Sequence, residues 1–166
     1  METVSGTPPQ MPVENSLAKI TAGQNFNLAI AAGIGAALVG AVAWAFVTVA
    51  TKTELGLMAI AVGFLVGRAI RMTGHGIDQK FGYLGAACAL LGCVLGNIFS
   101  DIAFYADLKG IGFDRALGEM DMALLTKLVS GFFKPMDLLF YAIAIYEGYK
   151  FSFKYRVVRQ PSVPKA

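Results

Sequence analysis

Three carboxylates and one amide are the side chains best placed to hold a cation or relay a proton: Glu54, Asp101, Asp137 and Asn97. Each adjoins an apolar run. Cys93, Asn97 and Asp101 are four apart, so a helix sets them along one side, with Ser100 adjacent. Ionisable groups within membrane segments are functional candidates by default. The competing reading is structural. Asp137 follows Pro135 by two residues, which puts it in a first helical turn where a carboxylate complements the macrodipole. Glu54 stands likewise at the start of an apolar segment, and Asp101 is within reach of pairing with Lys52.

Arg68 and Glu147 form a second group. Each interrupts a short apolar run at what would be the same end of two neighbouring helices. A lone charge at bilayer depth costs about 2.5–3.5 kcal/mol on the lenient insertion scale, so an intramembrane ion pair is expected. Separate snorkelling to the interface is the alternative. His75, between glycines in TGHGIDQ, reads as a loop histidine because no partner has zinc-ligand spacing. No P-loop, dinucleotide fingerprint, serine elbow or HExxH occurs. The expectation is therefore no catalytic residue and no cofactor. A metal held by Glu54, Asp101 and Asp137 would be the feature to raise an enzymatic reading.

The elements that position these groups are apolar. Of 166 residues, 56% are hydrophobic and 15% charged, against about 25% charged in ordinary soluble domains. Residues 28–50 hold no charge, and as a helix they extend about 34 Å, enough for a hydrocarbon core of about 30 Å. Four spans are expected, over about 27–50, 54–72, 81–105 and 135–154. The second is short and has a re-entrant hairpin as its rival. Phe113, Leu117, Met120, Leu124 and Leu128 recur at helical spacing, which predicts an amphipathic interfacial helix over about 113–130. A soluble cap on the bundle is the alternative there. The fold class is thus all-α: a four-helix transmembrane bundle with an interfacial helix between spans three and four. Residues 1–26 read as a polar mobile tail, residues 27–154 as the membrane domain, and residues 155–166 as a basic tail.

Glycine and alanine are patterned. Gly82, Ala89, Gly96 and Ala103 are seven apart in the third segment, with Gly85 and Gly92 in a parallel series. Gly63 and Gly67 form a GxxxG in the second, and Gly33, Ala37 and Ala41 repeat the device in the first. In lipid, helices associate by close contact, which small residues permit. The expected packing residues are Gly63, Gly67, Gly85, Ala89, Gly92 and Gly96. Trp44 is expected near an interface. Cys88 and Cys93, five residues apart, point about 140° away from each other on a helix and cannot bridge within it.

Four spans put both termini on one side, with Lys19, Arg68, Arg71, Lys80, Lys150, Lys154, Arg156, Arg159 and Lys165. The other side would hold Lys52, Lys109, Arg115, Lys127 and Lys134. The positive-inside rule then places both termini in the cytoplasm. No aromatic and basic pattern of a nucleic-acid module is present, so the expected partners are the lipid bilayer and other membrane helices, a second copy of the chain among them. The runs MAIAVGFLVGRAIR, FGYLGAACALLGCVLGN and DLLFYAIAIYEGYK resemble small bacterial four-span membrane proteins of unknown function, over residues 55–100 and 135–152. That resemblance implies a bacterial inner-membrane location and brings no activity. The expected role is a structural or interaction component that packs through small-residue faces. The alternative is a small ion or solute transporter or channel using the outer carboxylates.

Overall fold

The computed structural model describes residues 23–53, 56–123, 126, 127, 130 and 135–153. Five helices follow in order: α1 (Phe26–Thr51), α2 (Leu57–Gly74), α3 (Gln79–Lys109), α4 (Phe113–Gly118) and α5 (Pro135–Phe151). No strand occurs among the described residues. Helices α1, α2 and α3, of 26, 18 and 31 residues, are long and apolar enough to cross a membrane. At about 1.5 Å per residue they extend about 39, 27 and 46 Å. Helix α5 has 17 residues. The polar tail to residue 22 and the basic tail over 155–166 lie outside the described residues.

Local chemistry sets the ends. The Asn25 side chain accepts a hydrogen bond from the Leu28 N–H at 2.9 Å, capping α1. The Asn25 N–H donates to the Gly74 carbonyl at 3.1 Å, tying the start of α1 to the end of α2. Helix α3 continues past Tyr105, its expected end, to Lys109. Gly110 then turns left-handed at φ 65° and donates its N–H back to the Ala106 and Asp107 carbonyls.

Burial is inverted relative to a protein that folds in water. In α1 the buried positions are Ala29, Gly33, Ala37, Gly40, Ala41, Trp44, Ala45 and Thr48, nearly all small. The large apolar side chains face outward: Val39 is 64% exposed and Phe46 76%. Leu57 and Phe64 of α2, Leu90 and Val94 of α3, and Leu138 and Leu139 of α5 are also exposed. So broad an apolar surface would aggregate in water, and it suits a hydrocarbon surround.

Helices α2 and α3 touch each other and form the middle of the bundle. Helix α1 packs on both from one flank and α5 on both from the other, and α1 and α5 do not meet among the described residues. The core between them runs through Val62, Val66 and Ile70 of α2, Phe81, Cys88 and Cys93 of α3, and Ala144 of α5. A second cluster, Ile102, Ala106 and Ala116, packs α4 against the overhanging end of α3.

Two helix crossings leave no room for a side chain. A Cβ built on Gly63 would lie 2.5 Å from the Ala144 carbonyl oxygen and 2.8 Å from its Cα, where α2 crosses α5. A Cβ on Gly148 would lie 2.6 Å from the Gly85 carbonyl oxygen, where α5 crosses α3. The expected single stripe on α3 is divided among neighbours. Gly82 and Gly85 face α5 and the residues after it, Gly92 faces Val62 and Ala37, and Gly96 faces Trp44.

Two expectations change. The helix expected over about 113–130 is not continuous: α4 ends at Gly118, and residues 119–121 are not helical. Residues 122, 123, 126, 127 and 130 are helical again. Trp44, expected as an interfacial side chain, packs inside the bundle: it is 3% exposed and lies across Gly96, whose missing side chain makes the space.

Candidate functional site

Polar side chains meet in the bundle where α3 faces α5. Asn97 donates its amide to the Tyr141 hydroxyl. That hydroxyl in turn donates to the Cys93 carbonyl at 3.5 Å, one turn back along α3. Asp101, 8% exposed, lies one turn beyond Asn97. Asp137 lies one turn before Tyr141 on α5. Both carboxylates are close enough to act electrostatically on the Tyr141 hydroxyl. The structure therefore groups Asn97, Asp101 and Asp137, three of the four residues expected at an ion or proton site. The fourth, Glu54, lies outside the described residues.

The periodic spacing explains the grouping. Residues 93, 97 and 101 succeed one another by one helical turn, so α3 sets them along one side. On α5, Tyr141 lies one turn after Asp137, and the close crossing of α5 over α3 at Gly148 and Gly85 runs on to bring the phenol to Asn97. Next to this cluster, Thr48 of α1 donates to the Ser100 hydroxyl at 3.2 Å, and both residues are 2% exposed. Thr48 and Ser100 thus join α1 to α3 as Tyr141 and Asn97 join α5 to α3. Tyr141 was not among the expected site residues. Its signal was present, four residues after Asp137 and on the same helical side.

Lys52 does not pair with Asp101. Its ammonium meets Asp107 instead, because α3 remains helical well past residue 101 and carries Asp107 to the end of α1. The expected Arg68 and Glu147 ion pair does not form either. The two lie at one level, since Gly67 approaches the Glu147 and Gly148 carbonyls. Gly67, however, holds the α2 face turned to α5. Arg68 is about 100° further around the helix and exposed. The Glu147 Oε2 atom is buried and has no hydrogen-bond partner among the described residues. His75 caps α2 in a left-handed conformation, with Nδ1 3.3 Å from the Thr73 carbonyl oxygen.

Chemically, two carboxylates beside a phenol and an amide can share a proton or attract a cation, and they can also clamp two helices. Among the described residues, no three His, Cys, Asp or Glu side chains are grouped to hold a metal ion. Comparisons with protein families, with curated proteins and with solved structures give no match to this chain. The likeness of three segments to small bacterial four-span proteins gains no support from them.

Proposed function

We propose that the chain is a four-span protein of the bacterial inner membrane, with α5 as the fourth span and both termini in the cytoplasm, and that it acts as a structural or interaction component. The observation that carries this reading is the row of large apolar side chains left exposed along α1, α2, α3 and α5, with glycine and alanine where the helices cross. At about 26 Å, α5 is slightly shorter than a hydrocarbon core of about 30 Å, a mismatch that tilting of its neighbours or local thinning absorbs at modest cost. Its packing on both α2 and α3 and its exposed Leu138 and Leu139 support membership of the bundle. The glycines at the helix crossings serve close packing within the chain. Contact with other membrane helices then falls to the outer apolar face. Reporter fusions after residues 53, 76, 111 and 153 test the threading. Cytoplasmic signals at 76 and 153, with external ones at 53 and 111, are expected; a signal at 153 matching that at 111 would leave three spans.

A second reading is a small ion or proton transporter. The buried Asp101 grouped with Asn97, Tyr141 and Asp137 favours it. Proteoliposome flux decides between the two: loss of a measurable proton or cation flux in Asp101→Asn establishes transport, and absence of flux in the wild type leaves the structural role.

A further inference from the structure

A groove of about 460 Å³ runs between α1 and α3. Its volume lies in the range of about 300–1,000 Å³ usual for ligand sites. Val42, Ala45, Phe46 and Val49 line it from α1, and Phe99 and Ala103 from α3. The α1 positions follow i, i+3, i+4 and i+7, a continuous helical stripe. The two alanines make the trough, between taller walls of Phe46 and Phe99. Phe113 of α4 also lines it, edge-on to Phe99 with ring centroids 6.2 Å apart. Every lining side chain is apolar, and none belongs to the polar cluster around Tyr141.

We propose that this groove seats one acyl chain of an anionic phospholipid, with the lipid phosphate at Lys52. The inference rests on the membrane reading, because both walls are helices long and apolar enough to span. At that depth the surround is hydrocarbon. Charge complementarity sets the headgroup. Lys52 lies one turn beyond Val49 and is the first charged residue after the uncharged run of α1. Its side chain is 60% exposed although it meets Asp107. An ammonium has three donors, so it can serve a carboxylate and a phosphate oxygen together.

The test is native mass spectrometry of the full chain in detergent, after incubation with phosphatidylglycerol or phosphatidylcholine. Wild type should retain one phosphatidylglycerol, about fivefold in preference to phosphatidylcholine. Ala103→Trp fills the trough, and Val42→Trp covers it from a rim position that is 59% exposed and has space for the larger ring. Each should reduce retention about tenfold. Lys52→Ala should keep lipid but lose the headgroup preference. Leu65→Trp on α2, away from the groove, should match wild type. Melting temperatures identify any variant that has lost its fold; if Ala103→Trp does so, Val42→Trp decides. Equal retention in wild type and Val42→Trp overturns the proposal. So does a lipid-free dimer that Val42→Trp dissociates, which would make a second copy the occupant. A chain monodisperse without detergent would instead defeat the membrane reading itself.

Discussion

Gly63→Ala adds one methyl where α2 crosses α5, and the structure sets its effect. The new Cβ would lie 2.5 Å from the Ala144 carbonyl oxygen, 2.8 Å from its Cα and 3.0 Å from its carbonyl carbon. Carbon atoms rest at about 3.5–4.0 Å, so the two helices must separate by about 1 Å locally. The obstructing atoms are backbone, and no rotamer change relieves them. Overpacking of this kind costs about 1–3 kcal/mol. The opposing gain from one more buried methylene-sized group is at most about 0.8 kcal/mol, and less where the unfolded reference is itself in lipid. A net loss of about 1–2 kcal/mol follows, which is a factor of about 5–30 in the folding equilibrium. The chain has a single tryptophan, Trp44, buried against Gly96. Its fluorescence therefore reports bundle opening during thermal or denaturant unfolding in detergent. Gly35→Ala is the matched control, because a Cβ there meets nothing within 4 Å. Its melting should equal or slightly exceed that of wild type. Wild-type melting for Gly63→Ala, or a larger loss for Gly35→Ala, would refute the reasoning.

Three further outcomes follow. Gly96→Leu should destabilise more than Gly63→Ala, since even its Cβ would sit 2.6 Å from the Trp44 ring, and the Trp44 emission should shift red as the indole is displaced. Tyr141→Phe removes the hydroxyl between Asn97 and the Cys93 carbonyl. Interhelical hydrogen bonds in membranes average about 0.6 kcal/mol, so a small loss is expected, and a double-mutant cycle with Asn97→Ala should recover a coupling of that order. Glu147→Arg should not be rescued by Arg68→Glu, because the two side chains do not meet; recovery of wild-type melting in the double variant would show that they do.

The sequence made α1 legible because an uncharged run of span length has few alternative readings. The i, i+4 spacing on α3 likewise placed Asn97 and Asp101 on one side. What it could not supply was the angle at which each neighbour approaches. Arg68 and Glu147 agree in level, yet one residue of offset turns Arg68 away from α5. Lys52 found Asp107 rather than Asp101 because the end of α3 depends on Gly110, and no drop in apolarity marks it. Trp44 resembles an interfacial anchor by type, whereas its burial comes from the space left by Gly96 on another helix. Tyr141 joined the site through the crossing of α5 over α3, a relation that no stretch of α5 alone contains.

The central claim is that hydrocarbon covers the outward side chains of α1, and cysteine labelling in intact membranes tests it most directly. With Cys88 and Cys93 replaced by alanine, Val39→Cys, Phe46→Cys and Thr53→Cys are each treated with a membrane-impermeant maleimide on both sides of the membrane. Val39 and Phe46 are 64% and 76% exposed in the fold, so the protein itself does not shield them. The expected result is rapid labelling at position 53 and none at 39 or 46; labelling of all three at similar rates would mean that water surrounds this helix.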